Sequence, residues 1–364
     1  MSSEVQKIHT LTSQRRVPSL DGLRAISILI VLASHFISPK LVPGGFGVTV
    51  FFFVSGYIIT RLMLEEFADT GAISLRNFYI RRVIRLYPPL LVLIAASAIV
   101  AIAQKLPVEI EGYFASLFYF MNYYLGYLDL NNSAFIRPPG FGPLWSLSVE
   151  EHFYILFPLT VFLARGKSDR LILAALAVCT LCLLIRIGYV LFLPPKVASV
   201  YTYQNSEARF DSIAFGVLLA SITAGGRGQD FIRRLTSSTA VLIACTVLVA
   251  CFAVRSDDFR NTLRYSLQGG GLFILVAAVV FTERYTVAYR ILNSALLVWI
   301  GQLSYSLYLW HQLVAHFLVT TTDIDRVLGH VPSALFTVVA SFVLAAASYY
   351  LIEQPFQAQR KRFR

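Results

Sequence analysis

Residues 19–38 read SLDGLRAISILIVLASHFIS, and this stretch decides the class of fold. An α-helix needs about 20 mainly apolar residues to cross the hydrocarbon core of a bilayer, which is what this run supplies. Comparable runs recur at 46–64, 87–104, 144–164, 170–193, 209–225, 238–254, 266–282, 297–319 and 334–353. Together they predict an all-α integral membrane protein, a bundle of about ten transmembrane helices. Composition agrees: of 364 residues, 57% are hydrophobic and 14% charged, with a mean hydropathy of +0.66. A soluble domain carries about 25% charged residues, so this chain has too few to cover a water-facing surface.

The net charge of +11 does not point to nucleic acid, because the basic residues sit in short clusters between apolar runs and no basic aromatic platform accompanies them. They read as orientation signals and headgroup contacts. With Lys7, Arg15 and Arg16 inside, the clusters Arg76/Arg81/Arg82/Arg85, Arg165/Lys167/Arg170 and Arg227/Arg233/Arg234 all face the cytoplasm, as does the tail Arg360–Arg364. That holds only if the aromatic stretch 112–126, GYFASLFYFMNYYLG, does not cross. Both termini are therefore expected in the cytoplasm, with an external or re-entrant segment between 105 and 143. The first apolar run lacks a small-residue cleavage site and is expected to stay as a helix. Cys179, Cys182, Cys245 and Cys251 all lie inside apolar runs and read as small fillers, with neither disulfide nor metal. The chain divides into a cytoplasmic segment 1–18, a membrane domain 19–355 and a basic tail 356–364.

An ionisable side chain within a span costs roughly 2.5–3.5 kcal/mol on insertion scales and is a functional-site candidate. In the first span Arg24 and His35 are eleven residues apart, which places them on one helical face about 16 Å apart along the axis. They cannot touch, yet one extended ligand could meet both: arginine suits phosphate, and neutral histidine suits taking a proton from a hydroxyl. In PGGFGVTVFFFVSGYIITRL (43–62), Ser55-Gly56 lies at mid-membrane and reads as packing or ligand contact more than as a nucleophile. In ISLRNFYIRRVIRLYPPLL (73–91), Arg81, Arg82 and Arg85 precede Pro88-Pro89. They serve orientation, and could also hold nucleotide phosphates. In GPLWSLSVEEHFYILFPL (142–159), Glu150, Glu151 and His152 fall inside a span. The two carboxylates project about 100° apart, so one can face a site while the other pairs with an arginine. Glu207, Arg209 and Asp211 read as a local salt-bridge network, and Glu353 with Pro355 as the end of the last helix. Tyr308 and His311, three residues apart, share a face where they could hold a sugar or form an interfacial aromatic belt.

Six pieces in this order, SLDGLRAISILIVLASHF, GGFGVTVFFFVSGYIIT, FYIRRVIRLYPP, LWSLSVEEHFY, RFDSIAFGVLLA and SYSLYLWHQ, resemble the membrane-bound acyltransferase family called acyltransferase 3. The resemblance runs from Ser19 to about Pro355. It implies transfer of acetyl or other short acyl groups, typically from coenzyme A thioesters, to hydroxyls of exported carbohydrates at the bacterial inner membrane. It places the family's essential histidine on His35, its paired arginine on Arg24, its arginine-rich motif on Arg81, Arg82 and Arg85, and its serine–glutamate–glutamate motif on Ser148, Glu150 and Glu151. On this reading His35, Glu150 and Glu151 are catalytic, and Arg24, Arg81, Arg82 and Arg85 bind acyl-CoA as co-substrate. Ser55, Trp145, Ser148, Tyr308 and His311 contact the acceptor, and no permanent cofactor or metal is called for. Many relatives carry a carboxy-terminal SGNH hydrolase-like domain that this sequence does not show, so their substrates are not carried over. The rival class is a transporter or flippase using the same ionisable residues as proton relays, but no pair of related halves accompanies them.

Overall fold

The three-dimensional structure is a computed structural model, and it describes residues 17–38, 41–131, 137–224, 228–282, 284–322, 329–359 and 363. Every regular element among them is helical. Each apolar run falls on a helix: α1 Pro18–Phe36, α2 Gly44–Thr70, α3 Leu75–Ala103, α4 Leu144–Ala164 and α5 Ser168–Phe192. The remainder are α6 Ser206–Thr223, α7 Ser238–Ala253, α8 Leu263–Phe281, α9 Ala295–Thr321 and α10 His330–Ser348. Among the described residues, seven helices can cross a membrane by length and composition: α1 to α5, α8, and α10 with its continuation to Gln359. Helix α7 is apolar but shorter. The aromatic stretch forms two short helices, Ile110–Leu117 and Met121–Leu130, of 8 and 10 residues, and neither alone is long enough to span. Lys7, Arg15, Arg16, Arg227 and the basic ends of the tail, Arg360 and Arg364, lie outside the described residues.

Two boundaries differ from the sequence expectation. The expected span 87–104 is the second half of a helix that begins at Leu75. Ser74 caps it by accepting from Asn77 N at 3.3 Å, and the helix continues through Pro88 and Pro89. Arg81, Arg82 and Arg85 therefore ride on the same helix as the apolar run that follows them. The last helix does not stop at Glu353-Pro355. It passes through a π-helical turn, Tyr349–Glu353, into Gln354–Gln359. That turn shifts the hydrogen-bond register by one residue just before the proline, where the amide donor is missing.

The chain forms two compact units. One comprises the chain up to Ser27, Gly45–Ile73 and Phe153–Gln302. Its core brings Phe53 and Tyr57 of α2, Leu219 of α6, and Phe273, Val276 and Ala277 of α8 into one cluster. Helices α2 and α6 cross closely because both are bare at the crossing: a Cβ at Gly56 would strike the Ile213 carbonyl, and one at Gly216 the Phe53 carbonyl. Small residues permit such approaches between membrane helices. Within the same unit Arg186 of α5 and Asp211 of α6 form an ion pair at 2.7 Å, both with zero exposure. The expected local network of Glu207, Arg209 and Asp211 is thus divided. Asp211 pairs with Arg186, and Arg209 bonds Thr49 Oγ1 and the Tyr203 carbonyl. Glu207 accepts from Tyr189 and Asn205. Residues two apart on α6 do not face each other, so Arg209 points away from both carboxylates, while Arg186 of α5 takes the Asp211 carboxylate.

The other unit comprises Ile28–Gly44, Ser74–His152 and Leu303–Arg364. In it Tyr305 of α9 donates to the Leu86 carbonyl of α3 at 2.9 Å, within the proline-containing turns. Ser97 of α3 donates to the Pro139 carbonyl at 2.8 Å. Ser306 holds the buried Glu353 carboxylate at 2.9 Å. These bonds fix α3, α9, the π-helical turn and the segment before α4 against one another.

Candidate active site

Of the residues given catalytic or binding roles above, the second unit holds all but Arg24 and Ser55, which lie in the first. Its centre is a pair of histidines. His35, exposed in the last turn of α1, places Nδ1 2.9 Å from Nε2 of His311 on α9. His311 is fully buried. Its own Nδ1 lies 3.1 Å from the Leu307 carbonyl and 2.9 Å from the Tyr308 carbonyl.

Those two carbonyls settle the protonation pattern of the neutral pair. A carbonyl oxygen only accepts, so the proton of His311 sits on Nδ1 and its Nε2 carries a lone pair. His35 Nδ1 must then be the donor across the 2.9 Å contact. The second nitrogen of His35, Nε2, is left as an acceptor. The carboxamide of Gln312 faces it, with Nε2 to Nε2 at 3.5 Å. The arrangement is that of a general base: one nitrogen held by a buried partner, the other presented outward.

Around the pair, Tyr308 and Ser146 make a hydroxyl contact at 2.5 Å, and Tyr308 also donates to the Pro143 carbonyl at 3.0 Å. Both residues are buried, so they clasp the turn before α4 onto α9. That turn is cut to fit. A Cβ at Gly140 would strike Leu313, and one at Gly142 would strike the Gln312 side-chain oxygen.

The acidic and basic candidates form a second cluster. The guanidinium groups of Arg82 and Arg85 act electrostatically on the Glu151 carboxyl, as does the neighbouring Glu150. Arg82 also lies over the Phe78 ring, 5.9 Å from its centroid. The side chain that meets His35 Nδ1 is His311. Arg81 bonds the Phe363 carbonyl at 2.8 Å. Ser148 is fully buried and receives the Met121 amide at 3.1 Å while donating to the Leu144 carbonyl at 3.2 Å, so it fixes the start of Met121–Leu130. Trp145 is buried beside it on α4. His152 packs against the rings of Phe120 and Tyr123, with centroids 5.2 and 5.8 Å away.

Three residues were not singled out from the sequence. Arg186, an arginine inside an apolar run, carried a readable signal. Gln312 and Gly142 carried none, because a neutral amide and a turn glycine are ordinary in isolation.

The profile of the acyltransferase domain family matches residues 17–352. The chain is 31% identical over 95% of its length to the peptidoglycan O-acetyltransferase OatA of Listeria monocytogenes, covering 56% of that protein. It is 30% identical over 95% of its length to a protein of Staphylococcus aureus provisionally named an O-acetyltransferase, covering 58% of it. A third relative, YrhL of Bacillus subtilis, provisionally named a peptidoglycan O-acetyltransferase, is 30% identical over 96% of the chain and covered to 56%. The chain thus spans little more than half the length of these relatives. No solved structure matches.

Proposed function

The chain belongs to the acyltransferase domain family, and from that premise we propose that it moves an acetyl or other short acyl group from an acyl-CoA to a carbohydrate hydroxyl. Its membership favours an enzyme over the transporter that the ionisable residues alone also allowed. The observation that carries the mechanism is the acceptor Nε2 of His35, held outward by the His35–His311 contact.

In this reading the acceptor hydroxyl gives its proton to His35 Nε2 as its oxygen attacks the thioester carbonyl carbon. The carbon–sulfur bond breaks, and His35 returns the proton to the leaving thiolate, so product ester and free thiol balance the reaction. The imidazolium formed on the way donates from Nδ1 to the His311 lone pair. It also sits in the last turn of α1, where the helix dipole favours a cation by about 0.3–1 kcal/mol. Arg81, Arg82 and Arg85 supply positive charge for the phosphates of the donor, with Glu150 and Glu151 setting the field around them. Arg24 contacts the donor from the other end of α1. Trp145 and Tyr308 bound the acceptor space. The reading places the protein in the inner membrane, with about ten spans and both termini cytoplasmic. The carbohydrate acceptor is supported by the names of the relatives, a cell-wall glycan foremost.

Mass spectrometry of surface glycans and lipid-linked precursors, from cells with the unaltered chain, with His35→Ala and with neither, tests this. An acyl increment found only with the unaltered chain is expected. An equal increment with His35→Ala would remove His35 as the base, and an increment in no extract would remove the glycan acceptor.

A further inference from the structure

The amide of Gln312 is the group nearest the reactive nitrogen of His35 that the mechanism above does not use. It follows His311 on α9, and its Nε2 stands 3.5 Å from His35 Nε2, at the outer edge of hydrogen bonding. The amide therefore faces the lone pair without closing on it. The other end of the carboxamide rests on Gly142, where a Cβ would strike Gln312 Oε1. Gly142 is not among the glycines in the left-handed region, so its backbone admits a side chain, but one there would displace the Gln312 amide.

We propose that Gln312 binds the acceptor, its amide N–H donating to the acceptor hydroxyl oxygen while that hydroxyl donates its proton to His35 Nε2. The valences close. A hydroxyl has one hydrogen and two lone pairs: the hydrogen goes to His35, one lone pair accepts from Gln312, and the other attacks the acyl carbon. The oxygen–carbon bond forms, the thioester carbon–sulfur bond breaks, and the proton passes through His35 to the thiolate, so no further reactant is needed. Two donors and acceptors so placed fix the direction of the attacking lone pair, which one contact alone would leave free to swing. Gly142 keeps the amide in that place by leaving room for its oxygen. This inference rests on His35 being the base.

The test uses the full chain in proteoliposomes with acetyl-CoA as donor and a soluble muramyl oligosaccharide as acceptor probe. Gln312→Ala should raise the acceptor KM about tenfold, the effect of one well-placed hydrogen bond, and leave the donor KM and the inserted amount unchanged. Gln312→Glu keeps the size but replaces the donor by an acceptor, and should behave as Gln312→Ala does. Gly142→Ala displaces the amide without removing it, so it should move the acceptor KM in the same direction. It should add nothing in the Gln312→Ala background, since both changes act through one contact. An unchanged acceptor KM in Gln312→Ala, alongside an inactive His35→Ala, would overturn this inference alone. Full additivity of the two substitutions would overturn the role given to Gly142. An active His35→Ala, or an unaltered chain that acylates no probe, would overturn the proposed function and this inference with it.

Discussion

The ion pair Arg186–Asp211 and the pair His35–His311 are two answers to the same difficulty, ionisable side chains in an apolar chain. Around Arg186 all three guanidinium nitrogens are engaged. Nε bonds the Thr262 carbonyl at 2.9 Å, Nη1 the Ala208 carbonyl at 2.5 Å, and Nη2 both Asp211 at 2.7 Å and Ser266 at 2.6 Å. Ser266 closes the ring by donating to Asp211 at 3.0 Å. The cluster is sealed, and it binds α5, α6 and α8 to each other. The histidine pair is sealed on one side only. His311 is buried with both nitrogens engaged, while His35 is exposed and keeps one lone pair. A closed polar ring holds a fold; a ring with one valence left facing outward can do chemistry.

Four experiments press on that contrast. His35→Ala removes the open valence and should lower acyl transfer about 10³-fold, within the range for losing a general base, at unchanged membrane insertion. Transfer assays normalised to inserted protein read it. Asp211→Ala opens the sealed ring and should destabilise by roughly 3–5 kcal/mol by stranding a buried guanidinium, read as a lower thermal midpoint in detergent. The paired change Arg186→Met with Asp211→Leu should recover most of that loss, and if it does not, the cluster does more than hold helices. His311→Ala should lower kcat by about 10- to 100-fold, the scale of a small misplacement of a reacting group, and His311→Gln, which restores an acceptor toward His35 Nδ1, should recover part of it. Tyr308→Phe removes the clasp to Ser146 and Pro143 and should be worth only about 1 kcal/mol of stability.

Much of this contrast was legible in the sequence, and the reasons for the rest are physical. Hydropathy located the helices, because bilayer thickness sets their length. It did not locate the start of α3, since the polar turn from Leu75 to Arg85 is helical by capping and packing and not by apolarity. His35 announced itself as an ionisable residue in a span. Its partner lies 276 residues away, a contact made by tertiary packing that no local spacing reveals. Arg186 could have been flagged by the same insertion cost that flagged His35. Gln312 becomes visible only once the neighbour of the reactive nitrogen is known.

The most direct measurement is nitrogen-15 solid-state NMR of histidine-labelled protein in bilayers at mildly alkaline pH, with His35→Ala and His311→Ala to assign the signals. The account requires His35 to carry its proton on Nδ1 and to leave Nε2 bare, and requires that preference to weaken in His311→Ala. A His35 protonated on Nε2 in the unaltered chain would contradict it, because the nitrogen facing the acceptor would then have no lone pair with which to take the proton.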